Sequence, residues 1–296
     1  MVTLAEARYG KAQTRIVRVC RDGDRHEFKD LNVSVTLAGD LADTYLTGDN
    51  AKVLPTDSQK NTVYAKAAEH GVDQIEDFAL LLARHFVDSQ QPIHRARVDI
   101  EEYRWERVSL AGEPAPHSFA RAGRETRLAS ATYGRGGARV VSGLTGLVLL
   151  NTTGSEFRGY PRDRYTTLPE AGDRILATAV DARWRHAAAD ADTDWADSYA
   201  EASRHLVEAF AGTYSRSLQQ TLYAMGERVL RHRPEIAEVR LSLPNKHHLP
   251  VDLTPFGLSS DEVFVATDRP YGLVEGTVCR GGAEPADGSG PIDGAW

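Results

Sequence analysis

Residues 55–64 read PTDSQKNTVY, and this stretch predicts the start of a helix. Thr56 and Ser58 are residue types that cap helices, and the run that follows is compatible with a helix from about residue 58 to 69. Residues 61–64, NTVY, have a counterpart at residues 220–223, QTLY, where the second half also has a predicted helix. This echo indicates an internal duplication of the chain.

The same order of elements surrounds these two helices. Polar–apolar alternation predicts strands, and helical periodicity predicts helices. In the first half we predict strands at 13–20, 31–39, 95–110 and 124–134, helices at about 58–69 and 73–86, and a loop containing GEPAPHS before the last strand. In the second half we predict strands at 138–153, 173–185, 235–245 and within 248–275, and helices at about 195–211 and 217–232.

Two copies of strand-strand-helix-helix-strand-strand predict an α+β protein whose antiparallel sheets carry helices on one face. We predict a first domain over residues 1–136, a second over 137–279, and an extended or disordered tail over 280–296, which is rich in Gly, Pro and Asp. Long strands at the sheet edges need to be paired or covered. We therefore expect the chain to oligomerise.

The composition is typical of a soluble globular protein: of 296 residues, 41% are hydrophobic and 26% are charged. The formal charge of −7 argues against general nucleic-acid binding, which needs a basic face. We predict neither a membrane-spanning segment nor a signal peptide. Cys20 and Cys279 are the two cysteines and lie far apart in sequence, which favours a reducing cytoplasm.

The common cofactor and metal motifs are missing from the sequence. We find no GxGxxG after a strand, no phosphate-binding GxxxxGK[ST], no HExxH and no GxSxG. His247 and His248 are the only close histidine pair, and neighbours on a strand point to opposite faces. If the chain is an enzyme, we expect it to work without a cofactor or a metal.

A set of short motifs, taken together, resembles the urate oxidase (uricase) family. They occur in the family's order and spacing between about Tyr9 and Val278. The motifs are YGK at 9–11, GDN at 48–50, PTD at 55–57, KNT at 60–62, GSEF at 154–157, RD at 162–163, YTTL at 165–168, DRIL at 173–176, SLPNKHH at 242–248 and DRPYG at 268–272.

The resemblance implies two tandem tunnelling-fold (T-fold) domains per chain. Two chains would close one barrel, and two barrels would stack into a homotetramer with active sites shared between subunits. The implied reaction converts urate, dioxygen and water to 5-hydroxyisourate and hydrogen peroxide, with no metal or organic cofactor.

The resemblance also implies which residues bind urate. The planar guanidinium of Arg174 would hold one edge of the purine bidentately, and the amide of Gln219 would complete the clamp. Phe157 would stack on the purine face, and the backbone of Leu218 would contact the ring. Thr56 and the N–H of Asp57, at a helix start that favours anions, would reach into the pocket of a neighbouring chain.

By the same resemblance, a proton relay runs from Thr56 through Lys11 to His247. Lysine acts as a base only where burial or nearby positive charge lowers its pKa. Asn245 would hold dioxygen, and later the attacking water, above the ring. His248, one residue beyond the relay, should face elsewhere.

Simpler roles exist for each residue alone: Thr56 as a helix cap, Arg174 as the partner of Asp173, Phe157 as core. Two other classes of protein also fit the predicted fold. T-fold cyclohydrolases bind planar rings with an acidic anchor or zinc, and the sequence offers no Cys/His metal set for them. A non-catalytic purine-binding homologue would have no need to keep Lys11, Thr56 and His247 together.

Overall fold

The computed structural model describes residues 2–123, 125–189 and 192–281. The chain divides into two compact units, Met1–Leu144 with Arg185–Ser198, and Thr145–Trp184 with Tyr199–Trp296. The predicted domain boundaries at 136/137 and 279/280 remain predictions. Beyond Gly281, the predicted tail lies outside the described residues.

The first unit is an antiparallel sheet with helices. Its strands in chain order are β1 (Tyr9–Cys20), β2 (Glu27–Gly39), β3 (Ile93–Glu102), β4 (Trp105–Leu110), β5 (Glu113–Arg121) and β6 (Thr126–Gly134), and its helices are α1 (Ala42–Leu46), α2 (Thr56–His70) and α3 (Ile75–Ser89). The main sheet runs in the order β1-β2-β3-β6, and β4 pairs with β5 separately. Apolar residues of β2, β3 and α3, among them Val33, Val98 and Phe86, form its core.

The second unit repeats this plan. Its elements are the second part of β7 (Gly137–Asn151), most of β8 (Leu176–His186) and of α4 (Trp195–Gly212), and α5 (Leu218–His232), β9 (Ile236–Pro250) and β10 (Phe264–Cys279). These strands follow one another in the sheet in the order β7-β8-β9-β10. α5 packs so closely on β10 that a Cβ at Gly226 would lie 2.7 Å from Val278, which leaves room only for glycine. The predicted α+β class and the doubled ββααββ order are confirmed.

Two predictions for residues 95–121 were wrong. The strand predicted over 95–110 is interrupted at Tyr103 and Arg104, and the predicted GEPAPHS loop belongs to β5. The β4–β5 turn, Ala111 and Gly112, has positive φ at both residues (53° and 91°), the geometry of a tight hairpin. Prolines in β5 conceal the strand pattern, although proline is tolerated at sheet edges.

The start of α2 also differs from the prediction. The helix begins at Thr56 directly after Pro55, and no side chain caps it, so neither Thr56 nor Ser58 has the predicted capping role. Pro55, the N-cap residue, has no side chain that can accept a hydrogen bond from the first-turn N–H groups. In contrast, α5 begins after Ser217, whose hydroxyl accepts a hydrogen bond from the Gln220 N–H at 3.2 Å.

A charged network lies inside the first unit. Glu76 is completely buried on the otherwise apolar face of α3. One carboxylate oxygen accepts from Arg127 at 2.8 Å, and the other accepts from the Ser142 hydroxyl at 2.7 Å. Such a pair stabilises a fold only while both partners are present.

Among the described residues, no helix is long and apolar enough to cross a membrane.

Candidate active site

The loop between β7 and β8 carries Phe157 and is held by backbone hydrogen bonds at two points. Phe157 exchanges a pair of backbone hydrogen bonds with Ala171, at 2.9 and 3.0 Å. One step earlier, the Glu156 N–H donates to the Ser215 carbonyl at 2.8 Å, and the Ser215 N–H donates to the Gly154 carbonyl at 2.9 Å. The loop is therefore fastened both to its own return segment and to the segment that leads into α5.

Arg174 lies at the end of this loop, just before β8, and its guanidinium carbon is 5.2 Å from the centre of the Phe157 ring. Partial burial lowers the pKa of Arg174 from its usual value. Within the described residues, its Nε is buried without a hydrogen-bond partner. Partial burial of a cation whose Nε has no partner is unfavourable, so this arrangement fits a site that an anion completes.

The simpler pairing of Arg174 with Asp173 does not occur. The Asp173 carboxylate accepts instead from the Thr153 hydroxyl at 2.5 Å and from the Gly154 N–H at 3.0 Å. The Thr153 bond is the main cause that lowers the pKa of Asp173, and partial desolvation opposes it. Phe157 is half-buried, so it is not an ordinary core residue either.

Leu218 and Gln219 are the first two residues of α5. Leu218 is only 2% exposed, whereas Gln219 is exposed. Capping is carried out by Ser217 and by Gln220, whose side chain accepts from the Arg216 N–H at 2.8 Å. The Gln219 amide is therefore not required for capping and can serve a ligand.

Asn245 and His247 lie two residues apart on β9, so both point to the same face of the strand. Opposite them β10 bulges: Asn245 pairs with Gly272 and His247 with Thr267, so the four residues 268–271 lie opposite Lys246 alone. His248 alternates to the other face, and its Nδ1 lies 3.0 Å from the Lys246 carbonyl. His248 therefore faces away from His247, and the relay itself stays a prediction.

Lys11 lies at a second bulge, where the β1–β2 register shifts between Lys11 and Thr14. Gln13, inside this bulge, has a positive φ of 56°. Bulges re-aim side chains and are common beside active sites. Lys11 is half-buried, and its charge is one of the causes that lower the pKa of Asp57, after the larger effect of Lys60.

Thr56 and Asp57 occupy the first turn of α2. The Asp57 carboxylate is bound by Lys60 at 2.5 Å and by Asn61 at 3.0 Å. The Asp57 N–H belongs to the first turn, where N–H groups have no partner within the helix, so it can donate to another acceptor. The segment before the helix is fixed because Tyr9 and Gln59 both donate to the Leu54 carbonyl, at 3.1 and 3.3 Å.

The predicted site residues fall into two groups by compact unit: Lys11, Thr56 and Asp57 belong to the first, and Phe157, Arg174, Leu218, Gln219, Asn245 and His247 belong to the second. Arg174 contacts Phe157. The backbone hydrogen bonds of Ser215 link their loop to the segment before α5, which begins with Leu218 and Gln219. In the first unit, the charge of Lys11 acts on Asp57. The joining of the two groups in one pocket remains a prediction. Sequence reasoning missed both strand bulges, for which the sequence offered no signal beyond Gly and Pro in DRPYG.

In the second unit, an aromatic ring lies beside a guanidinium that has no carboxylate partner among the described residues, an arrangement suited to a flat anion with polar edges. The fold and this arrangement define the class: an α+β protein of two similar halves with a candidate site for a planar anion. The family model described as Uricase matches residues 7–132 and 140–275. The chain belongs to the uricase family.

Named relatives agree with this assignment. The uricase of Arthrobacter globiformis is 46% identical over 95% of this chain and 91% of its own length, and Uricase-2 of Phaseolus vulgaris is 38% identical over 93% and 95%. The crystal structure of the A. globiformis uricase, 45% identical, superposes with a TM-score of 0.91 over 96% of this chain and 97% of that one. The urate oxidase of Bacillus sp. TB-90 shares the fold, with a TM-score of 0.80 at 24% identity over 93% of this chain and 100% of its own.

Proposed function

We propose that this chain oxidises urate with dioxygen and water to 5-hydroxyisourate and hydrogen peroxide, by holding urate between Phe157 and the Arg174–Gln219 clamp. Membership of the uricase family makes the chain a urate oxidase, an oxidoreductase of purine degradation. The observation that carries the proposed binding mode is Arg174: a partly buried guanidinium at the Phe157 ring, with its Nε unpaired among the described residues. The urate edge would supply the missing acceptors bidentately.

The proposed chemistry begins with removal of a proton from the urate monoanion, because the resulting dianion gives electrons to dioxygen more readily. Lys11 accepts this proton through Thr56 and passes it to His247. Asn245 holds dioxygen above the ring. The dianion gives dioxygen two electrons, and one proton from the relay and one from solvent complete hydrogen peroxide. Water then adds to the oxidised ring at the position that dioxygen occupied, which gives 5-hydroxyisourate.

We further propose that the active sites are shared between subunits of a cytoplasmic homotetramer. The support is membership of the uricase family, whose resemblance implies sites between subunits; Lys11, Thr56 and Asp57 belong to the first compact unit and the Arg174 clamp to the second. In this arrangement Thr56 and the Asp57 N–H of one chain approach urate that is held by its neighbour.

Purified protein treated with a strong chelator should still consume urate and release hydrogen peroxide. No group of three or more His, Cys, Asp or Glu side chains in the described part of the chain could hold a metal ion. Urate absorbance and peroxide would be measured before and after chelation. Activity that returns only with added copper, iron or flavin would contradict the proposal, and zinc-dependent hydrolysis of a purine would indicate the cyclohydrolase class.

Shared sites can be tested by mixing two variants that are each inactive, Lys11→Met and Arg174→Ala, under refolding conditions. A mixed dimer has both defects in one pocket and leaves the other pocket intact. Random pairing makes about half of the dimers mixed, each with one working site of two, so activity should recover to about a quarter of wild type. If mass spectrometry finds mixed oligomers that stay inactive, each pocket is built from a single chain.

A further inference from the structure

The loop that connects Phe157 to Arg174 is cross-linked by side chains that the proposed reaction does not use. At its base, the Asp173 carboxylate binds the Thr153 hydroxyl at 2.5 Å and the N–H groups of Gly154 and Ser155 at 3.0 and 3.4 Å. This carboxylate therefore joins the two ends of the loop, on either side of Phe157. Hydrogen bonds to an ionised acceptor are stronger than neutral ones.

The tip of the loop is held by Tyr160. Its ring is stacked on Phe157, with centroids 4.9 Å apart and an interplanar angle of 17°. Its hydroxyl donates to the Leu168 carbonyl at 2.6 Å on the returning segment. Beside it, the Gly159 N–H donates to the Glu170 carboxylate at 3.0 Å. The plane of Phe157 is therefore set by a second aromatic ring that is itself anchored.

We propose that Asp173 and Tyr160 are positioning residues that hold Phe157 and Arg174 as one preformed clamp for the planar anion. Tyr160 fixes the tilt of the stacking ring. Asp173 fixes the base of the loop and, because its carboxylate is already occupied by three donors, leaves the neighbouring Arg174 available to the ligand. This inference rests on the proposed binding of urate at Phe157 and Arg174.

Preformation matters because a ligand that binds between a ring and a guanidinium must otherwise order both. Ordering side chains and loops on binding costs affinity, and rigid sites avoid that cost. The hydrogen bonds of Asp173 are partly exposed, so their removal should affect the geometry of the clamp more than the stability of the fold.

The test compares Asp173→Ala and Tyr160→Leu with three conservative or control variants. We expect Asp173→Ala to raise the KM for urate and the Kd for the non-reactive analogue 8-azaxanthine by about tenfold, since small misplacements of binding groups are costly. Tyr160→Leu, which removes the stack, should raise both by about fivefold. Turnover at saturating urate should change by less than about threefold, because the loss is one of uniform binding.

Three variants separate positioning from general loop structure. Tyr160→Phe keeps the ring and should bind nearly as wild type, and Asp173→Asn keeps an acceptor for the two N–H groups and should fall between alanine and wild type. Asp163→Ala is the matched control, since Asp163 likewise binds a threonine hydroxyl and an N–H, at 2.8 and 2.9 Å, but at the far end of the loop. It should leave both constants unchanged.

Wild-type KM and Kd in Asp173→Ala and in Tyr160→Leu would overturn the inference, as would an equal loss in Asp163→Ala. A lower melting temperature with unchanged Kd would also overturn it, because it assigns these residues a structural role only. A wild-type protein that binds 8-azaxanthine but does not oxidise urate would contradict the proposed function alone. The analogue affinities of the variants would then still decide the inference.

Discussion

Replacement of Arg174 by alanine is expected to weaken the binding of 8-azaxanthine by about a hundredfold. Loss of a charge-assisted contact to a buried ligand edge costs about 3 kcal/mol, and that free energy corresponds to roughly this change in Kd. The expectation depends on the position of Arg174, at the Phe157 ring and without a hydrogen-bond partner for Nε among the described residues. Calorimetric titration of the folded variant measures it directly.

Two further variants sharpen this measurement. Arg174→Lys keeps the positive charge but lacks the planar fork, so its affinity should lie between those of alanine and wild type. Arg164→Ala removes an exposed arginine of the same loop that stacks on Tyr165 and has no place in the clamp, so it should bind as wild type. Unchanged affinity in folded Arg174→Ala would mean that another group holds the purine edge.

Replacement of Glu76 by alanine is expected to lower the free energy of unfolding by about 3–5 kcal/mol, because it breaks a buried ion pair and leaves Arg127 with only a more distant counter-ion, Glu102 at 3.5 Å. Glu76 is fully buried, and the side chain of its partner Arg127 is only 13% exposed. Ser142 would lose the acceptor of its hydroxyl at the same time. Denaturant unfolding, followed by circular dichroism, would measure the loss.

A surface ion pair supplies the matched control. Glu69 pairs with Lys66 at 2.8 Å but is 55% exposed, so Glu69→Ala should cost no more than about 1 kcal/mol. Replacing both partners of the buried pair, Glu76→Met with Arg127→Met, should recover much of the loss, because no unpaired charge remains. Equal losses for Glu76→Ala and Glu69→Ala would show that burial does not control the strength of the Glu76 pair.

The sequence was sufficient for the doubled ββααββ order and the fold class, but not for the β4–β5 hairpin. The polar–apolar alternation along 31–39 and the helical spacing of apolar residues along 73–86 indicate which face of each element is buried. This information lies within each element's own sequence. It was sufficient also for the family, because motifs such as GSEF and DRIL recur in order. The individual site residues followed from those motifs, and their assembly into one pocket remains a prediction.

Other features were decided only by tertiary structure, because they depend on partners distant in sequence. The bulge at Lys11 appears only when β1 is paired with β2, and the bulge at 268–271 only when β10 is paired with β9. The residues near Glu76 in the sequence do not indicate that Arg127 and Ser142, 51 and 66 residues away, bind its carboxylate. Asp173 could have neutralised the adjacent Arg174; the fold instead directs its carboxylate to Thr153, 20 residues earlier, and so leaves the guanidinium available to a ligand.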